Sequence, residues 1–136
     1  MLQKEIKALE LIEQIEQKWR AVHNLYSGSV LYLIWNDPIM AVGNNTYVDH
    51  VLTHLGFRNT MFSYERYPEG RADLLSSLNP DYVFLSSEPF PFKERHIQTY
   101  QNLFPNSKII LVDGEMFSWY GSRMLYAPDY FKTIKV

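Results

Sequence analysis

Two segments of this chain give the strongest structural signal: Lys108-Ile-Ile-Leu-Val-Asp-Gly-Glu-Met-Phe-Ser-Trp-Tyr-Gly121 and Asn79-Pro-Asp-Tyr-Val-Phe-Leu-Ser-Ser-Glu-Pro-Phe-Pro-Phe92. Each contains a short apolar run typical of a buried strand, followed by a turn rich in aromatic residues and carboxylates. Open α/β sheets bind ligands just beyond the carboxyl ends of their strands. The rings that follow the two runs are therefore predicted to lie at a ligand-binding edge: Phe90, Phe92, Phe117, Trp119 and Tyr120.

Apolar runs alternate with helical patterns along the rest of the chain. Residues 1–24 are predicted to form one long amphipathic helix, because apolar side chains recur there at spacings of three and four. Strands are predicted at 29–35, 82–86 and 108–112, and helices at about 45–55, 71–78, 93–104 and 122–135, with 40–43 as a small apolar loop. This order predicts an α/β fold: a three-layer, doubly wound parallel sheet preceded by the long helix.

Composition excludes several classes of function. The 136 residues have a net charge of −2 and no basic run, so a nucleic-acid partner is not expected. The chain has no cysteine, which excludes disulfides and thiolate chemistry. No apolar stretch reaches membrane-spanning length, and the first residues lack the apolar core of a signal peptide. Aromatic residues make up 15% of the chain, which is compatible with a recognition surface or with an ordinary tyrosine-rich exterior.

Motifs for chemistry are weak. The loop at 41–46 has one glycine and no phosphate-binding pattern. His50 and His54 have a spacing that can hold a metal, but two surface histidines are the favoured interpretation and no metal is predicted. Ser86, Ser87 and Ser118 lie near strand ends, with His96 a short distance along the chain from the first two, but none has a nucleophile-elbow setting.

Carboxylates also lie near strand ends. Glu88, Asp113 and Glu115 could perform acid–base work, although Asp113-Gly114 is more simply explained as a turn. A small cytosolic α/β hydrolase-like enzyme using Asp113, Glu115 and a serine or histidine is therefore an alternative. The aromatic cluster of Trp35, Phe90, Phe92, Trp119 and Tyr120 is a candidate wall for a bulky, partly apolar ligand. For Phe90 and Phe92, packing against the domain's own core is a serious competitor.

Several strings, in order, resemble a known family. They are Trp35-Asn-Asp-Pro-Ile-Met-Ala-Val-Gly43, Tyr47-Val-Asp-His-Val-Leu52, Tyr67-Pro-Glu-Gly-Arg-Ala-Asp-Leu-Leu75, Leu78-Asn-Pro-Asp-Tyr-Val-Phe-Leu85, Glu88-Pro-Phe-Pro-Phe92 and Val112-Asp-Gly-Glu-Met-Phe-Ser-Trp-Tyr-Gly121. The set resembles the C-terminal lobe of a helical-backbone ABC-transporter substrate-binding protein, a periplasmic binding protein of the cobalamin or ferric-siderophore type. Residues 1–25 then look like part of the helix between two lobes, and residues 26–136 like the C-terminal ligand-binding lobe.

The resemblance implies a non-catalytic transport function. The expected ligand is a metal chelate (cobalamin, an iron siderophore or haem), with no cofactor because the metal belongs to the ligand. The expected partners are an ABC permease and the N-terminal lobe, which this chain lacks; a half-protein that homodimerises is the alternative. The full-length protein would be periplasmic or extracytoplasmic.

Residue roles follow from the same resemblance and from strand-end placement. Asp73 matches a position at which the family places a carboxylate that docks on permease arginines, and Glu69 is its neighbour and competitor. The predicted ligand-binding residues are Trp35, Tyr67, Glu88, Phe90, Phe92, Trp119 and Tyr120.

Overall fold

The computed structural model describes residues 2–118 and 123–136. Its helices are α1 (Leu2–Ala21), α2 (Tyr47–Leu55), α3 (Ala72–Ser77), α4 (Ile97–Leu103) and α5 (Arg123–Phe131). Its strands are β1 (Ser29–Trp35), β2 (Met40–Ala41), β3 (Arg58–Asn59), β4 (Tyr82–Ser86) and β5 (Lys108–Val112). Short 3₁₀ helices at Glu94–His96 and Gly114–Phe117 precede α4 and follow β5.

The strands form one sheet in the order β2-β1-β4-β5, and β3 also pairs with β1. The pairings β1·β3, β1·β4 and β4·β5 are parallel, as the alternating pattern predicts. β2 runs antiparallel to β1, with Leu33 opposite Ala41. The expectation of an apolar loop at 40–43 is therefore wrong for its first half. The four-residue connection from β1 is too short for a parallel crossover, so the chain returns beside β1 as a hairpin.

Helices cover both faces of the sheet, which confirms the three-layer prediction. Alternate residues of the central strands point to opposite faces. On one face Tyr32 and Phe84 pack with side chains from α2 and α5, such as Leu52 and Phe131. The other face packs against α3 and α4, and its buried members include Leu31, Leu33, Val83, Leu85, Leu75, Tyr100 and Phe104.

Helix α1 packs on the domain only through its C-terminal end. Trp19 contacts Phe131 of α5, with ring centroids 5.6 Å apart, and Lys18 forms an ion pair of 2.9 Å with Asp129. Every described residue up to Gln14 is exposed, including five large apolar side chains: Leu2, Ile6, Leu9, Leu11 and Ile12. The predicted amphipathic helix is confirmed, but most of its apolar stripe has no partner among residues 2–118 and 123–136.

Candidate functional site

A pocket of about 580 Å³ opens at the carboxyl ends of the parallel strands. It lies where the chain leaves β1, β4 and β5, the edge at which open α/β sheets bind ligands. Its volume is in the range typical of small-molecule sites. The described residues that line it are mainly apolar: Tyr32, Ile34, Trp35, Met40, Val42, Val48, Tyr67, Ser86, Glu88, Pro89, Gly114, Phe117 and Ser118.

The floor of the pocket is a small hydrogen-bonded group around Ser86, the last residue of β4. The buried Tyr32 hydroxyl donates to Ser86 Oγ at 3.2 Å, and Ser86 Oγ donates to the carbonyl oxygen of Glu88 at 2.8 Å. Burial is the main cause that raises the pKa of Tyr32; the Ser86 hydrogen bond lowers it, and the charges of Glu88 and Asp113 are among the smaller causes that raise it. Tyr32 is therefore a neutral donor that holds Ser86 in place.

Gly114 lets the turn after β5 approach the turn after β4. A Cβ on Gly114 would overlap Ser86 Oγ and would lie 2.8 Å from Glu88 Cγ. The Gly114 amide donates to Ser87 Oγ at 2.9 Å, which joins the two turns. The absence of a side chain at Gly114 is thus required for the stem of Glu88 to lie at the pocket.

Two aromatic residues form the rim of the pocket. Trp35, at the end of β1, is 38% exposed, and Tyr67 is 51% exposed. The segment before Tyr67 is held against residues 43–44 by backbone bonds from Gly43 to Arg66 (2.6 Å) and from Asn44 to Tyr64 (2.8 Å). A Cβ on Gly43 would overlap the carbonyl oxygen of Tyr64, so this close approach also depends on glycine.

The predicted ligand-binding residues divide into three groups. Trp35, Tyr67 and Glu88 lie together at the pocket. Phe92 is 4% exposed and belongs to the core under α4, and Phe90 is half-buried between Trp35 and Phe92, with ring centroids at 5.5 and 4.7 Å. The structure therefore places Phe90 and Phe92 as the core-packing alternative describes. Trp119 and Tyr120 lie outside the described residues.

Sequence reasoning missed several apolar lining residues, such as Ile34, Met40 and Val48. Met40 reaches the pocket because β2 folds back beside β1, a pairing that the sequence pattern did not indicate. Val48 belongs to the first turn of α2, and its position depends on how that helix packs on the sheet. Aliphatic residues of this kind resemble core residues in a sequence, so no local signal distinguishes them.

Neither of the two predicted permease-docking carboxylates is among the described residues that line this pocket. Asp73 is exposed in the first turn of α3 and forms an ion pair with Arg71 at 2.9 Å. It lines a shallow surface groove between α3 and α4. Glu69 is exposed, and its backbone forms an isolated antiparallel bridge with that of Met40.

The groups considered for catalysis are not joined into a reactive set within the described part of the chain. Ser86 Oγ is bonded to Tyr32 and Glu88, whereas His96 Nδ1 accepts from the Lys93 amide at 2.9 Å. The Glu115 carboxylate pairs with Arg123 at 3.0 Å. Among residues 2–118 and 123–136, no group of three histidine, cysteine or acidic side chains is arranged to hold a metal ion.

No helix within the described ranges is both long and apolar enough to cross a membrane.

Comparison with known proteins identifies the fold. The chain superimposes on the periplasmic haem-binding protein HutB of Vibrio cholerae with a TM-score of 0.73 and 20% identity, covering 95% of this chain and 56% of that one. The vitamin B12-binding protein BtuF of Vibrio cholerae superimposes with a TM-score of 0.61 and 15% identity, and the match covers 88% of this chain and 47% of BtuF. An Fe³⁺-hydroxamate transport protein of Saccharomonospora viridis superimposes with a TM-score of 0.64 and 18% identity, and the match covers 96% of this chain and 49% of that protein.

The fold is therefore that of one lobe of a two-lobed periplasmic binding protein of the helical-backbone type. This chain spans about half the length of the solved structures that it matches. No protein-family model and no curated protein sequence matches it.

Proposed function

We propose that this chain is the C-terminal ligand-binding lobe of the substrate-binding component of an ABC importer for metal chelates. The main support is the pocket at the carboxyl ends of β1, β4 and β5, in a fold shared with binding proteins for haem, vitamin B12 and ferric hydroxamate. A flat or bulky chelate with apolar surface suits a wide, mostly apolar pocket with aromatic residues at its rim. Trp35, Tyr67 and Glu88 are the proposed contacts, together with Trp119 and Tyr120.

The proposed role is binding without catalysis. Ser86, one of the serines considered as a nucleophile, is buried, and its hydroxyl is already hydrogen-bonded to Tyr32 and Glu88. Its closest candidate base by sequence, His96, packs against Phe90 and Phe92 instead. This arrangement supports retention of a ligand rather than its conversion.

The apolar stripe of α1 supports a second lobe as partner. Leu2 is 70% exposed and Leu9 66% exposed, which is unusual for several neighbouring large apolar residues in a folded domain. We propose that residues 1–25 are the lower part of the helix between lobes and that an N-terminal lobe packs on this stripe, with residues 26–136 as the C-terminal lobe. An upstream reading frame that encodes another α/β lobe with an export signal would support this and a periplasmic location. A stop codon directly before Met1 would contradict it.

A second copy of this chain is the alternative partner for the exposed apolar stripe of α1. Size-exclusion chromatography with light scattering distinguishes the two, because a concentration-dependent dimer of the 136-residue chain indicates self-association. A monomer at all concentrations argues against the dimer.

Direct titration tests the proposed function. Calorimetry with haem, a corrinoid and a ferric trihydroxamate should show saturable binding of at least one chelate. The same titration of a Trp35→Ala, Tyr67→Ala double variant should give at least tenfold weaker binding. Absence of binding for all three chelates would refute the proposal.

A further inference from the structure

The pocket has one charged side chain among the described residues that line it. Glu88 is that residue; the remaining lining consists of apolar, aromatic, glycine and serine residues. No lysine, arginine or histidine of residues 2–118 and 123–136 lines the pocket. The formal charge that the described lining residues contribute to the pocket is therefore the single negative charge of Glu88.

The backbone of Glu88 is held by its neighbours. Ser86 Oγ bonds both the carbonyl oxygen of Glu88 (2.8 Å) and its amide (3.4 Å), which holds the backbone in place. Glu88 Cγ lies directly over Gly114. The backbone of Glu88 is thus held beside the pocket, and its side chain leaves the backbone over Gly114.

The Glu88 carboxylate has no ion-pair partner among the described residues, whose ion pairs are Lys18–Asp129, Arg20–Glu16, Arg71–Asp73 and Arg123–Glu115. Nearby Glu115 differs, because Arg123 lies 3.0 Å from its carboxylate. Glu88 is exposed, so its charge acts partly through water, and it attracts a cation and repels an anion most strongly at low salt.

We propose that Glu88 makes this site selective by charge, so that cationic chelates bind best, neutral chelates next and anionic chelates worst. This inference rests on the proposed function and specifies its ligand class. A neutral or cationic corrinoid or ferric hydroxamate is therefore favoured, whereas haem, with two propionates, and ferric tricatecholates carry charge of the same sign as Glu88. Discrimination then comes from repulsion of the wrong ligand as well as attraction of the right one.

A matched series of chelates tests the proposal. Ferrioxamine B has a cationic amine tail, its N-acetyl derivative is neutral and its N-succinyl derivative is anionic, with the same iron cage in all three. Aquacobalamin and cyanocobalamin form a second pair, cationic and neutral, and haem serves as an anionic probe. Affinities are measured by calorimetry at low salt for the wild type, Glu88→Gln and the control Glu94→Gln. Glu94 is an exposed carboxylate that lines a different groove.

The expected result is a preference for the cation over its neutral analogue of roughly five- to tenfold, within whichever chelate class binds. Glu88→Gln should reduce that preference to less than about twofold, whereas Glu94→Gln should leave it unchanged. Wild-type binding that is indifferent to charge, that favours the anionic probes, or that keeps its charge preference in Glu88→Gln would overturn the inference alone. Failure of all six probes to bind would overturn the proposed function and the inference with it.

Discussion

The indole Nε1 of Trp19 donates a hydrogen bond of 2.8 Å to the carbonyl oxygen of Met124. Met124 lies four residues before Pro128, and proline has no amide hydrogen to satisfy that carbonyl. The end of α1 thus supplies, from a distant part of the chain, the donor that α5 lacks. This bond explains how α5 tolerates a buried proline and why α1 is attached to the domain at Trp19.

Trp19→Phe should therefore lower the free energy of unfolding by about 1–2 kcal/mol, since it removes the donor and part of the packing. Urea denaturation measures the change. In a Pro128→Ala background the backbone gains an amide hydrogen that can bond the Met124 carbonyl, so Trp19→Phe should cost less there by about 1 kcal/mol. An equal cost in both backgrounds would show that the hydrogen bond to Met124 is not the reason.

Trp35→Ala should weaken chelate binding roughly tenfold, because the exposed part of the indole forms the rim of the pocket. The matched control is Phe62→Ala, which removes an aromatic side chain that is 61% exposed and is not among the lining residues. Calorimetry should detect a loss only in the first variant. Similar affinities for the two variants would place the ligand elsewhere.

Gly43→Ala should reduce ligand affinity by moving Tyr67. The new Cβ meets the backbone carbonyl of Tyr64, which cannot rotate away, so the segment that leads to Tyr67 must shift. We expect an affinity loss similar to that of Tyr67→Ala, measured below the unfolding transition, while Tyr67→Phe should stay close to wild type. Full affinity in Gly43→Ala would show that Gly43 does not position the rim.

Asp73→Ala should slow chelate uptake in cells without changing ligand affinity, if Asp73 docks on permease arginines. Arg71 pairs with Asp73 at 2.9 Å, but both side chains are largely exposed, so another cation can readily replace Arg71 as the partner of Asp73. Arg71→Ala should therefore leave uptake unchanged or faster. Glu69→Ala tests the competing carboxylate, and normal transport by Asp73→Ala would assign docking to another residue.

Tyr100→Phe should make the protein less sensitive to alkali. Burial, with a smaller contribution from the charge of Asp37, raises the pKa of Tyr100 from 10.0 to about 12. Below pH 10 the residue is protonated in both states and its contribution to stability is complete. Between pH 10 and about 12 it ionises only in the unfolded chain, so stability falls as pH rises.

The measurement is the melting temperature between pH 8 and 12. Above pH 10 the melting temperature of the wild type should fall more than that of Tyr100→Phe. The control is Tyr126→Phe, because Tyr126 is exposed. At neutral pH, Tyr100→Phe should cost about 1 kcal/mol, since it removes the 2.7 Å bond to Asn36 Oδ1. Parallel alkaline curves for all three proteins would contradict the assignment.

The layered fold was predictable because its signals are local. Apolar runs such as 29–35 and 82–86 alternate with helical patterns, and this order alone implies parallel strands covered on both faces. β2 was not predictable, because a two-residue strand has no periodicity and exists only through its pairing with β1.

For the candidate site, the sequence by itself placed aromatic and acidic residues at the carboxyl ends of strands, since strand ends are marked by turn chemistry. It did not determine which of those rings line the pocket and which pack in the core. Trp35 and Phe90 contact each other, yet Trp35 lines the pocket, while Phe90 leads into the ring cluster with Phe92 and Tyr100 under α4. An aromatic ring is stabilised by burial both in the core and in the wall of a pocket, so its type does not indicate which of the two it joins. The packing of α4 and the close backbone approaches at Gly43 and Gly114 made that choice.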